Sequence, residues 1–257
     1  MTDGNHMKQL LPYLFVAGML AIMMWIGLVS AFFARRRRLA LEQLAESLGF
    51  TFTAVAGDEI RADIPKFALL HTGRQPQIEN LLSGSTATTQ VLIFDWRFVT
   101  GSGKNIQTHV STVIAIQSTE LQLPHWLCRP ESVLDWIGLT SDGRDIDFED
   151  QPLFSQKYHL HGNNEQRLRR LFDSEVCTFF EQHIGSYAEA RGQWLIYCRQ
   201  GKVIPPDQIH DLLRDAFQLQ VLLKSESGDC EHEAHDSQPA VSDETRDEMP
   251  PETERQF

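Results

Sequence analysis

QLLPYLFVAGMLAIMMWIGLVSAFFA, residues 9–34, followed at once by Arg35-Arg36-Arg37-Arg38, sets the architecture of this chain. The stretch carries no charged side chain. A hydrocarbon core takes about 20 apolar residues at about 1.5 Å each, so this segment predicts a transmembrane helix with residues to spare for tilt. Pro12 falls in its first turn, where a missing N–H costs little. A secretory signal peptide has an apolar core of roughly 7 to 15 residues. This core is much longer, and the arginine quartet behind it acts as a stop-transfer signal. Arginines resist translocation, while the tail before the span sets only Lys8 against Asp3, so the expected topology is N-terminus outside and C-terminal domain in the cytoplasm. Arg35, Arg36, Arg37 and Arg38 are the topology determinants, and they also face anionic lipid head groups.

Working outward, residues 1–8 form a short N-terminal tail, 9–34 the transmembrane helix, and 35–49 a basic segment with a juxtamembrane helix. Residues 50–224 form a cytoplasmic α+β domain, and 225–257 a disordered acidic tail. Leu41, Leu44, Ala45 and Leu48 share one helical stripe, which Gly49 ends. Phe50 to Thr53 alternates with period two and reads as a strand. Val91 to Thr100 and Ile106 to Ile116 are β-branched and aromatic runs around Gly101-Ser-Gly-Lys-Asn105, the clearest hairpin of the chain. Pro76 to Gly84 precedes it as a strand. Leu121 to Cys128 adds another, with Pro124 suited to an edge.

Ser132 to Gly138 reads as a short helix, and Asp145 to Phe148 and Phe154 to Leu160 read as short strands. Helices follow over Asn164 to Phe172, capped by Asn163 or Asn164, and Ser174 to His183, capped by Asp173 or Ser174. Tyr187 to Ala190 and Trp194 to Arg199 make a second hairpin. Pro205-Pro206 opens a last helix, Asp207 to Leu223. The fold class is α+β with a mainly antiparallel sheet. Beyond Lys224 apolar residues nearly vanish, and such a tail cannot bury enough surface to offset its ordering entropy.

The net charge of −12 gives no electrostatic footprint for nucleic acid. Four cysteines without tight spacing fit reduced, buried thiols. Gly101-Ser-Gly-Lys104 lacks the spacing of a phosphate loop and joins two strands, so it reads as a turn with an exposed lysine. His159 and His161 lie two apart, on one face of a strand, and Asp145 and Asp147 repeat that spacing. These four are the candidate metal ligands, and they would serve a metal-assisted hydrolase. A half-buried strand with a solvated face gives the same pattern. Cys230, His232 and His235 could capture a metal in the tail. Arg167, Arg169 and Arg170 make a basic helix face that suits an acidic partner or plain solvent. No GxSxG nucleophile elbow occurs. Ala17/Ala21 and Gly27/Ala31 have the spacing of a weak homodimer contact.

The blocks Phe94 to Lys104, Leu123 to Glu131, Asp145 to Glu149 and Phe154 to Leu160 resemble those of uncharacterised bacterial single-pass membrane-anchored proteins. That resemblance covers roughly Leu41 to Leu223 and implies an anchored single domain of bacterial origin; the expected location is the bacterial inner membrane. It carries over no catalytic residue, substrate or cofactor. The leading expectation is therefore a membrane-tethered interaction or regulatory module rather than an enzyme, with the bilayer and a protein as partners. The alternatives are the metal-assisted hydrolase and an anionic-lipid surface sensor built on Arg35 to Arg38 and Lys104.

Overall fold

The computed structural model describes residues 3–131 and 145–235. The helix predicted over Ser132 to Gly138, the tail from 236 onward and the side chains of Cys230, His232 and His235 lie outside what it describes. Helix α1 runs unbroken from Asp3 to Leu48. From Phe15 it is long and apolar enough to cross a membrane, with a mean hydropathy of 2.2 in its most apolar window and none of that window buried in the fold. Only its last turns dock: Leu41 and Ala45 are fully buried, with Leu44 and Phe50 packed alongside. Gly49 ends the helix at φ 69°, a left-handed conformation that glycine adopts without a Cβ penalty, and Phe50 N closes onto the Ala45 carbonyl at 2.8 Å.

The domain that follows is an eight-stranded antiparallel sheet with a few helices, in the strand order β1-β2-β3-β4-β8-β7-β5-β6. The strands are β1 (Thr51–Val55), β2 (Arg74–Ser85), β3 (Thr89–Thr100), β4 (Gln107–Ser118), β5 (Leu123–Pro130), β6 (Tyr158–Gly162), β7 (Ser186–Gly192) and β8 (Trp194–Arg199). The predicted hairpin is β3–β4, paired without a slip from Thr89↔Ser118 to Thr100↔Gln107. Its uninterrupted alternation lets each strand feed both faces: Ile93 and Ile114 join one core, Phe94, Trp96 and Val113 the other.

Helices cover the first face. They are the end of α1, α3 (Pro152–Lys157), α4 (Glu165–Leu171), α5 (Ser174–Gln182) and α6 (Ile209–His235). Asn164 caps α4 by accepting from Arg167 N, and Asp173 caps α5 by accepting from Glu175 N and Val176 N. The second face is covered by the β1–β2 connection, in which α2 (Asp58–Asp63) leads to Ile64, Phe67, Leu69 and Leu70.

Four local expectations change. Asp145 to Phe148 is not a strand; it is a loop tied to β6 through Ile146 N and the Leu160 carbonyl at 3.0 Å. Phe154 to Leu160 begins as helix α3, because Pro152 at the first helical position suits a helix start, and becomes strand only at Tyr158. Strand β5 is interior, between β7 and β6; Pro124 is tolerated there because the β5–β7 register shifts between Leu123 and Trp126 and β6 pairs only from Trp126 onward. The last helix continues past Leu223 to His235.

Candidate functional site

Strand β3 places Asp95 in phase with Val91 and Ile93, on the face that receives α1. A carboxylate at a core position demands partners, and Asp95 has them on every side. Arg37 Nε donates to Oδ2 at 2.9 Å and Nη2 to Oδ1 at 2.8 Å. Asn80 Nδ2 donates to Oδ2 and Thr112 Oγ1 to Oδ1, each at 2.9 Å. Asn80 reaches in from a bulge in β2, at φ 52°, a conformation asparagine tolerates. Arg37 also donates through Nη1 to the Ile204 carbonyl at 2.7 Å, and Ile204 N donates to Thr112 Oγ1 at 2.9 Å. Side-chain exposure is 18% for Arg37 and 4% for Asp95, so the pair is shielded. Of the four arginines read as topology determinants, Arg35, Arg36 and Arg38 are exposed, and Arg37 alone is drawn into the fold.

The candidate metal ligands separate. His159 Nδ1 lies 3.1 Å from Asp145 Oδ2, and Asp145 Oδ1 accepts from Leu160 N at 2.9 Å. The third ligand atom comes from Glu131: with Asp145 and His159 it makes a group whose ligand atoms all lie within 4.8 Å of one another. His161 stands across from Leu127 on the neighbouring strand, and Asp147 is exposed with its carbonyl accepting from Arg169 Nη1. Neither joins that group.

While Nδ1 faces Asp145, the His159 Nε2 atom is buried and without a hydrogen-bond partner. That arrangement suits a metal ligand or a proton acceptor. Arg129 opposes the first role. It pairs with His159 across β5 and β6, is 1% exposed, and its two terminal guanidinium nitrogens are also unpartnered. A fixed cation there weakens binding of a second one. Glu131 and Arg129 escaped the sequence reading. Their signal was the placing of Arg129 in phase with Leu127 on one face of β5, a charge where an apolar residue was due, with Glu131 directly after the strand.

Other ionisable groups are spent on structure. Buried Glu189 accepts from Ala68 N with both oxygens, at 2.9 and 2.8 Å, and from the Tyr187 hydroxyl at 2.8 Å, tying the β1–β2 connection to the sheet. Asp215 on α6 pairs with Arg199 and His183. Cys128, Cys177 and Cys198 are free and buried. Burial pushes the Cys198 thiol up to about 12 and that of Cys128 well above its ordinary value, so neither supplies a thiolate nucleophile near neutral pH.

A groove of ≈ 660 Å³ opens where α1 ends, between the β2–β3 turn and α6. Leu48, Phe50, Val91, Leu213, Phe217 and Val221 line it, with Glu120 and Lys224 paired at 2.8 Å on its edge.

No protein-family model matches the chain, and no curated protein matches it. Among solved structures, the crystal structure of the mycobacterial trehalose monomycolate transport factor A, TtfA, is similar to it at 18% identity and a TM-score of 0.54, covering 74% of this chain and 94% of that one. At that identity the likeness is one of fold.

Proposed function

We propose that the chain is a membrane-tethered interaction module, its α+β domain held on the cytoplasmic side of a bacterial inner membrane by α1. The observation that carries this is the Arg37–Asp95 pair, one helical turn beyond the apolar span. An enzyme that works on soluble substrates gains nothing from a fixed attitude at a membrane. A subunit that must meet a partner in the same membrane does, because ordering the domain in advance lowers the entropy cost of association. The fold is shared with a mycobacterial transport factor, which supports a binding role over a catalytic one. The groove beside Phe217 and Val221 is the partner surface of this reading, since exposed apolar side chains cluster there.

Photo-crosslinkers placed at Val221 and, as control, at Glu175 in the full-length protein in native membranes test it. One reproducible protein adduct from Val221, missing from Glu175, is expected; identical adduct patterns from both positions overturn the reading.

The metal-assisted hydrolase stays as a second reading because Asp145, His159 and Glu131 converge. Its test is stoichiometric zinc or manganese on the purified protein that disappears in His159→Ala.

A further inference from the structure

Among the described residues, three loops that each expose a large apolar side chain gather at one end of the sheet. Ile106 (57% exposed) closes the β3–β4 turn, Val203 (42%) lies between β8 and α6, and Ile184 (69%) lies between α5 and β7. Thr100 pairs with Gln107 at the turn, Val113 with Cys198, and Ser186 with Arg199, so all three loops leave the sheet at the same end. Helix α1 arrives from that side. Arg37 meets Asp95, Thr112 and Ile204, whereas Leu48, at the far end of the docked segment, lines a groove with Thr89 and Val91 at the opposite end of β3.

Reach decides what this end meets. At about 3.3 Å per strand residue, Thr100 stands up to about 16 Å beyond Asp95 on the side from which α1 comes. Ala34, the last residue of the apolar span, is only about 5 Å back from Arg37 along the helix. Even with α1 crossing the strands at about 45°, the hairpin tip would project about 11 Å past the level of Arg37. That carries the tip about 6 Å past Ala34, and the 26-residue span, at about 1.5 Å per residue, is about 9 Å longer than a hydrocarbon core of about 30 Å, so the tip reaches the inner edge of the head-group layer.

The chemistry at this end matches that surroundings. Residues 101–106 carry Lys104 and no acid, Lys202 stands beside Val203, and Arg35, Arg36 and Arg38 are exposed nearby. Glu131 and Asp207 also lie here; the Asp215 carboxylate, which lies against His183 and Arg199 at this end, is 5% exposed and already paired. Exposed aliphatic residues interleaved with cations suit an anionic lipid interface. The geometry points to a second membrane contact: the sheet end formed by Ile106, Lys104, Val203, Lys202 and Ile184 rests in the head-group layer of the bilayer that α1 spans. This rests on the tether proposed above and adds to it a surface by which the domain itself reads lipid.

The test uses the full-length protein with Cys230→Ser, its remaining cysteines being buried. An environment-sensitive fluorophore is attached at Met24→Cys, Ile106→Cys or Thr88→Cys, and each protein is reconstituted into phosphatidylcholine–phosphatidylglycerol vesicles containing lipid spin-labelled near the head group or, for Met24→Cys, along the acyl chain. Quenching several-fold stronger at Ile106 than at Thr88, and weakened by salt, is expected. If Met24 is quenched and Ile106 is no more quenched than Thr88, the contact is disproved while the tether stands. If Met24 escapes quenching by lipids spin-labelled along the acyl chain, tether and contact fall together.

Discussion

Arg37 and Asp95 meet through two parallel hydrogen bonds, Nε to Oδ2 at 2.9 Å and Nη2 to Oδ1 at 2.8 Å, joining the helix that leaves the lipid to the centre of the sheet. Fork-to-fork geometry of this kind fixes direction as well as distance. It turns one residue of a basic stretch into the joint between anchor and domain.

Arg37→Ala strands the Asp95 carboxylate in a site shielded from water. The expected loss is about 3 kcal/mol or more, against about 1–2 kcal/mol for Arg37→Lys, which keeps the charge and loses the fork. Urea unfolding of the detergent-solubilised chain, followed by tryptophan fluorescence, measures both. Equal effects from the two variants would show that only charge matters at this joint.

Alkaline pH should weaken the fold through its buried thiols. Cys198 holds its proton up to about 12, while in the unfolded chain it ionises from its ordinary 9.0. Between those values the unfolded state binds fewer protons, so stability is full below pH 9 and falls as pH rises, by about 1.4 kcal/mol per pH unit for this one group. The urea midpoint should be level from pH 7 to 9 and then drop, and Cys198→Ala should make the drop shallower. A slope unchanged in that variant would contradict the assignment.

Metal binding, if the second reading holds, must depend on the three converging residues. His159→Ala and Glu131→Ala should each abolish stoichiometric metal by elemental analysis, while His161→Ala leaves it intact. Arg129→Met, which removes the adjacent cation, should tighten zinc binding by about tenfold or more in calorimetry. Weaker binding in Arg129→Met would show that the guanidinium does not face the ligand atoms.

Gly162 allows β6 to lie close to β5. A Cβ there would stand 2.6 Å from the His125 carbonyl oxygen and 2.5 Å from Leu168 Cδ1. Backbone cannot swing aside, so Gly162→Ala should cost about 1–3 kcal/mol and loosen the sheet edge that carries His159. Hydrogen exchange of the β6 amides would register the loosening.

Orientation has its own check. Protease added outside intact spheroplasts should leave the domain whole and cut it only after lysis. Digestion in intact spheroplasts would reverse the topology and remove the cytoplasmic partner surface.

The large elements were legible because their signals are local. Uncharged length gave α1, and period-two runs of Val, Ile and Phe gave β3 and β4. The two hairpins were read correctly, yet β8 of the second pairs with β4 of the first, a contact set by tertiary packing that neither segment announces. The stretch Phe154 to Leu160 misled because its apolar spacing fits strand and helix alike, and the proline before it decided the matter. At the candidate metal site, Asp145 and His159 were each read within a pair two residues apart, but Glu131, just past the end of β5, comes to them through the fold. Arg37 was seen as a charge facing lipid. Its other role required Asp95 to be recognised as a carboxylate on a core face.

Nothing between Phe15 and Leu48 interrupts α1, and the sheet is bolted to its last turns. Helices longer than the hydrocarbon around them answer by leaning. Without a hinge to absorb it, that lean passes to the whole domain, so a thinner bilayer cants the sheet and makes its attitude a gauge of membrane thickness.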